Sequence, residues 1–245
     1  MRNVRVIPYA RWTDFKRDLF AELFDNERFR PDRYLFRGSG DANWTLSTHF
    51  DRRFAGVPLE RRLALWDELI AEFRLGCADL GVPTAEVDED RKLWALGQHF
   101  GLPTRLLDWS TSPYVAAFFA FRDHLLSRSP RYDHVAVWVL HLQNPVWSRE
   151  CGVEIVTAPA FDNVRLRSQG GRFTLCRAPV GTLEDYVERF ATEPALTKCV
   201  LPASDADHAL ADLDAMGINS YNLFPDLGGL AATATMRASL RALAE

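Results

Sequence analysis

The chain has no C-x-x-C pair, and no histidine stands at zinc-ligand spacing from any of its four cysteines, Cys77, Cys151, Cys176 and Cys199. Scattered cysteines of this kind predict buried free thiols in a reducing compartment rather than a disulfide framework, and no metal cofactor. No G-x-G-x-x-G follows a strand signal and no G-x-x-x-x-G-K-[ST] is present, so neither a Rossmann phosphate turn nor a P-loop is expected. No apolar run approaches the roughly 20 residues of a membrane-spanning helix. Met1-Arg2-Asn3-Val4-Arg5 leads into mixed polar sequence rather than a secretory core. We therefore expect a cytoplasmic protein with no membrane partner. Excess positive charge is lacking too: 29 Lys and Arg stand against 33 Asp and Glu, a net charge of −4. No general field draws nucleic acid, although a local basic patch is still allowed. No internal repeat, low-complexity tract or Gly/Ser linker divides the chain.

What is present is a folder. Of 245 residues, 47% are hydrophobic and 12% aromatic, enough for a sizeable core. Helical spacing of Trp12, Phe15, Leu19, Phe20, Leu23 and Phe24 predicts a helix over 12–24, with Thr13 as N-cap. Residues 33–37 read as a strand ended by Gly38-Ser39-Gly40. A long amphipathic helix is predicted over 59–80 and another over 90–100, with strand over 104–109. Residues 113–126 are apolar on every side, which predicts a buried helix. The stretch 134–142 is apolar on both alternations and reads as a strand covered on both faces. Further strands are predicted at 152–157, 172–176 and 196–201, and helices at 182–190, 204–216 and 226–244. Helices first and strands later favour an α+β class over a doubly wound sheet. We expect a single domain with N-terminal helices packed on a mixed or antiparallel sheet. Its expected parts are a helical extension over 1–30, a core over 31–232, and the end of the last helix over 233–245.

Three stretches set polar groups among apolar ones. In Tyr34-Leu35-Phe36-Arg37-Gly38, an arginine ends a hydrophobic strand, which is costly without an anionic partner. That partner is either an internal carboxylate or a bound anion, and Gly38 is either a turn residue or a place for a ligand to approach the backbone. The block Gln98-His99-Phe100-Gly101-Leu102-Pro103-Thr104-Arg105-Leu106-Leu107-Asp108-Trp109-Ser110-Thr111-Ser112 crowds an imidazole, a guanidinium, a carboxylate and three hydroxyls together. Arg105 and Asp108 either pair with each other or serve a ligand. Ser112 is expected to cap the helix that Pro113 opens. The third stretch, Arg165 to Phe173, sets three arginines around Gly170-Gly171 and reads as a hairpin turn or a phosphate-binding loop.

Phe36-Arg37-Gly38 with Trp44-Thr45-Leu46, the block Gln98–Trp109, the Ala116–Ala120 helix, Arg167–Phe173 and Leu223–Leu230 together resemble the FRG domain family. That resemblance runs from Phe36 to Leu230 and implies the toxin-like or phage-defence settings in which such domains occur in bacteria and phages. It implies an antitoxin or effector partner as well. A more distant similarity, through Arg37-Gly38 and Ser110-Thr111-Ser112, is to ADP-ribosyltransferases of the Arg–Ser–Glu type. It implies that fold, NAD as substrate, Arg37 on the dinucleotide phosphates, Gly38 reading the nicotinamide by its main chain, and Ser110, Thr111 and Ser112 scaffolding the pocket. The late catalytic glutamate has no counterpart; Gln169 stands at that place. Gln169 can bond a ribose hydroxyl but cannot act as a base, which leaves Glu154 or Asp108 to supply the charge.

Three functions follow as expectations. The first is NAD-dependent ADP-ribosyl transfer. In it Arg37 and Arg105 clamp phosphates, His99 orients a hydroxyl or acts as base, and Phe100 or Trp109 walls the nicotinamide. The second is a sensor that binds a nucleotide or other phospho-ligand without turnover. The third is an RNA-directed nuclease with His99 as acid–base group, which the acidic balance disfavours.

Overall fold

A computed structural model describes residues 2–25, 28–30, 33–83, 89–126, 132–156 and 171–243. Its centre is a seven-stranded mixed sheet. The strands are β1 (Val4–Pro8), β4 (Tyr34–Ser39), β5 (Leu106–Ser110), β6 (His134–His141), β7 (Val153–Val156), β8 (Gly171–Cys176) and β9 (Leu196–Pro202), in the order β1-β9-β6-β4-β5-β8-β7. Only β1 and β9 run parallel; every other neighbouring pair is antiparallel. Strands β2 (Phe24–Asp25) and β3 (Arg28–Phe29) form a separate hairpin. The α+β class and single domain are as the sequence predicts. Cys77, Cys176 and Cys199 are buried free thiols as expected, but Cys151 is exposed, in the turn before β7.

Period-two alternation sorts the core into its clusters. On one face, Phe36, Val137 and Leu201 pack under α1 (Trp12–Leu23), α5 (Pro113–Leu126) and α7 (Ala206–Ala215). Further along that face, Leu106, Leu175 and Val156 pack under α2 (His49–Arg53), α3 (Leu59–Asp79) and α4 (Asp90–His99). Leu35, Trp138 and Trp109 face the other way, against α6 (Leu183–Phe190) and the chain around Leu46 and Val146. Helices α8 (Ser220–Leu223) and α9 (Leu227–Leu243) follow α7. The two helical groups on the first face leave a seam over β4 and β5.

Several boundaries differ for physical reasons. Strand β4 runs on through Gly38 and Ser39, because β6 pairs with both. Helix α1 begins at Trp12, whose amide donates to Asp205 Oδ2 at 2.7 Å, so a distant aspartate caps it rather than Thr13. Residues 4–8 pair with β9, so the N-terminal segment adds a strand to the sheet as well as a helix. Gly101, at φ +88°, turns the chain out of α4.

Candidate functional site

The seam is where the ladder between β4 and β5 stops. Phe36 opposite Ser110 is their one paired position. Continuing that register would place Gly38 opposite Asp108. Instead the Arg37 side chain reaches across, and its Nη1 donates to the Asp108 carbonyl at 2.7 Å. The same nitrogen lies 3.7 Å from Asp108 Oδ2. Arg37 thus has its acid in sight without being sealed against it, and its side chain keeps 26% of its surface open.

Asp108 is held from its other side. Gln98, at the end of α4, donates from Nε2 to Asp108 Oδ1 at 2.5 Å. Thr104 Oγ1 donates to Gln98 Oε1 at 2.6 Å and so fixes which way the amide points. The chain of bonds Thr104–Gln98–Asp108–Arg37 ties the end of α4 to β5 and β4.

Around this junction two cavities meet, and Arg37, Gly38 and Asp123 line both. The smaller, about 280 Å³, lies between Trp109, Ser110, Ala116, Phe119 and Phe224, with Asp108 on its wall. The larger, about 750 Å³, is lined by Trp44, Asp51, Arg52 and Arg62 among others. Arg52, at the end of α2, donates to the Ser47 carbonyl. Partial desolvation, and then the positive charge of Arg37, hold its guanidinium below its usual value against the pull of Asp51. Three guanidinium groups therefore line one space, and of these Arg62 is paired with Asp51. Asp123, on α5, is pushed up by desolvation, while Arg122 and Arg37 pull it down. Trp44 is 47% exposed on the wall of the larger cavity.

The sequence-predicted residues divide on this geometry. Arg37, Gly38, Asp108, Trp109 and Ser110 come together in the cavity walls. Gly38 is there for a different reason from the one expected. The backbone of α5 lies against it so closely that a Cβ would meet Ala116 O at 2.0 Å, so helix packing occupies the approach proposed for a ligand. Trp109 is among the residues lining the smaller cavity, but its side chain is buried in the core on the other face of the sheet, with Nε1 donating to Thr174 Oγ1 at 3.0 Å. Ser110 Oγ accepts from the Ser112 amide at 3.0 Å. Ser112 Oγ caps α5 by accepting from Val115 N at 3.3 Å, as predicted. Neither Thr111 nor Ser112 lines the two cavities.

Arg105 is placed elsewhere. It is 1% exposed, donates from Nη2 to the Ala178 carbonyl at 3.2 Å, and lies 3.7 Å from Asp51 Oδ1 and 5.9 Å from the Phe50 ring centre. Arg62 reaches the same Asp51 oxygen at 3.5 Å, and Thr48 Oγ1 donates to Asp51 Oδ2 at 2.5 Å. Neither a phosphate clamp nor a pair with Asp108 fits Arg105; its acid is Asp51. His99 and Phe100 are exposed, stacked edge-to-face on each other, and line neither cavity. Glu154 sits on β7, two strands beyond β5, 3.7 Å from Arg91. Gln169 and the Arg165–Gly170 stretch lie outside the described residues.

Among the residues that sequence reasoning did not single out, Arg52, Asp123 and Trp44 line the cavities and Gln98 holds Asp108 from behind. Gln98 and Trp44 stood inside recognised blocks. Arg52 sits on a helix of five residues, too short for periodicity to show, and Asp123 sits in a helix read as wholly apolar.

Residues 32–128 match the family model described as the FRG domain. That span includes Arg37, Trp44, Arg52, Gln98, Asp108 and Asp123. Neither a curated protein nor a solved structure gives a match, so the distant similarity to ADP-ribosyltransferases has no support from these comparisons.

Proposed function

Starting from an FRG domain at residues 32–128, we propose that the cleft over β4 and β5 binds a phosphate-bearing nucleotide. The observation that carries this reading is the pair Arg37 and Arg52 on the wall of one cavity of about 750 Å³. A guanidinium is the side chain best matched to phosphate oxygens, and two of them suit a pyrophosphate. The volume is that of a small-molecule site. Trp44 offers an exposed ring face on which a base stacks.

Binding is tested by titrating purified protein with ADP, NAD and inorganic pyrophosphate, following tryptophan fluorescence and melting temperature. The expected result is saturable binding that Arg37→Ala and Arg52→Ala each weaken by about tenfold or more. If millimolar ADP, NAD and pyrophosphate all leave both signals unchanged, the reading is wrong.

A second reading adds turnover: NAD-dependent ADP-ribosyl transfer. Its support is the smaller cavity, ring-sized and walled by Phe119 and Phe224, beside two carboxylates, Asp108 and Asp123. An oxocarbenium-like transition state needs a nearby negative charge. Release of nicotinamide from labelled NAD tests it; tight binding with no release leaves a sensor. The nuclease reading has no such support, because His99 lies away from both cavities.

A further inference from the structure

Asp123 is the carboxylate that lines both cavities; Asp108 lines the smaller and Asp51 the larger. Arg37, the residue assigned above to phosphate, lines both as well. A carboxylate beside a phosphate site repels that phosphate, so its presence there is a cost unless the ligand brings hydrogen-bond donors to it. The backbone that carries it is held in place. Helix α5 packs on the turn after β4 so tightly that a Cβ on Gly40 would lie 3.1 Å from Asp123 Cβ. His124 Nδ1 lies 3.2 Å from the Gly40 carbonyl, which locks the same contact one residue on. Arg122 approaches one oxygen of Asp123 at 3.6 Å, and among the described residues no hydrogen bond reaches either oxygen.

A nucleotide offers donors at two places: the exocyclic amine of some bases and the ribose hydroxyls. The sugar is bonded directly to the phosphate, whereas the base lies beyond the sugar. A carboxylate sharing both cavities with the phosphate-binding arginine suits the group next to the phosphate, the sugar, better than the base beyond it. Two adjacent hydroxyls match its two oxygens.

We propose that Asp123 selects the sugar: the cleft's ligand is a ribonucleotide, and the Asp123 carboxylate accepts hydrogen bonds from the vicinal ribose hydroxyls. The proposal rests on the nucleotide reading above. It predicts discrimination against deoxy-sugars, a property that phosphate contacts alone do not produce.

The experiment is calorimetric titration of wild type, Asp123→Ala and Asp123→Asn with ADP, 2′-deoxy-ADP, 3′-deoxy-ADP and pyrophosphate. Wild type should bind ADP about tenfold more tightly than either deoxy compound, a factor typical of one lost hydrogen bond to a charged group. Asp123→Ala should bind all three nucleotides alike, while holding pyrophosphate at least as tightly as wild type does. Asp123→Asn keeps the size of the side chain and serves if the alanine variant does not fold; it should show the same loss of discrimination in smaller degree. Equal binding of ADP and 2′-deoxy-ADP to wild type overturns the proposal and leaves the nucleotide reading standing. So does discrimination that survives in Asp123→Ala. Binding of pyrophosphate without ADP overturns it as well. If neither pyrophosphate nor any nucleotide binds, the nucleotide reading itself falls.

Discussion

A methyl group on Gly38 would sit 2.0 Å from the carbonyl oxygen of Ala116 and 2.6 Å from the amide nitrogen of Ala120. Helix α5 thus lies directly on the backbone of β4, one residue from Arg37. This contact sets the depth of the cleft, because α5 carries Phe119 and Asp123 on its wall. It also accounts for the glycine after Arg37 without any ligand.

Gly38→Ala should therefore destabilise strongly. Overpacking costs about 1–3 kcal/mol where side chains can shift. Here both obstacles are helix backbone, so the loss should reach the top of that range or prevent folding. The control is Gly56→Ala, where nothing lies within 4 Å of the added carbon. Thermal melts of the two variants give the comparison. Equal melting temperatures would mean that α5 does not rest on β4 as described.

Arg37→Ala should leave the fold nearly intact while removing nucleotide binding. Its one hydrogen bond, to the Asp108 carbonyl, lies at an open cleft, so about 0.5–1.5 kcal/mol is the expected cost. Arg37→Lys keeps the charge but loses the planar fork, and its affinity should fall between the two. Chemical denaturation checks the first statement and titration with ADP the second. Wholesale unfolding of Arg37→Ala would make the residue structural.

The buried node at Asp51 gives an unequal pair of outcomes. Asp51→Ala strands two buried guanidinium groups, Arg62 and Arg105, and should cost about 3–5 kcal/mol. Arg105→Met fills the same space and leaves Asp51 paired with Arg62, so it should cost clearly less. Urea midpoints of the two variants measure the difference. The reverse order would show that Arg105, not Asp51, is the member the node depends on.

Acid should loosen the joint between α7 and α9. Arg237 donates to both oxygens of Asp214, at 2.7 and 2.9 Å, and Asn219 Nδ2 adds a third bond at 2.9 Å. First the Arg237 bonds and then that of Asn219 hold the Asp214 carboxyl below its usual value, in spite of some desolvation. The native state then binds fewer protons than the unfolded chain. The stabilisation is complete above the ordinary aspartate value near pH 4 and is lost as pH falls through the lower native one. Asp214→Asn should therefore be less stable than wild type at pH 6, and the gap should close towards pH 2. A constant gap would mean that the contact does not depend on charge.

His99→Ala should change neither stability, beyond about ±0.5 kcal/mol, nor nucleotide affinity, since the ring is exposed and outside both cavities. A large loss of affinity would bring the imidazole back into the site.

Much of the fold was legible where periodicity is long. The buried helix over Pro113–Leu126 and the two-faced strand His134–His141 appear almost residue for residue, because their apolar pattern has no competing reading. Strand β1 was not legible: five residues at a sheet edge, with only Val4 buried, leave no alternation to read. The site was legible in its centre, Arg37 and Asp108, and not in its pairings. Arg105 and Asp108 are three apart on extended chain, and period-two alternation sends such residues to opposite faces. Their closeness in sequence therefore argued for a contact that the backbone forbids. Arg52 and Asp123 come from helices that meet only in the folded chain, so no local pattern marks them.

Strand β1 joins the sheet beside β9, and just before it the Arg2 amide donates to Glu188 Oε2, 186 positions along the chain. During synthesis β1 is thus made long before β9, the strand it pairs with. Until β9 is made, β6 lacks its partner on that side and β1 has no strand to pair with. Such late, distant pairing slows folding and leaves an unpaired edge open to wrong partners. Once the two strands pair, the Arg2 and Asn3 amides donate to the Glu188 carboxylate and fasten the start of β1.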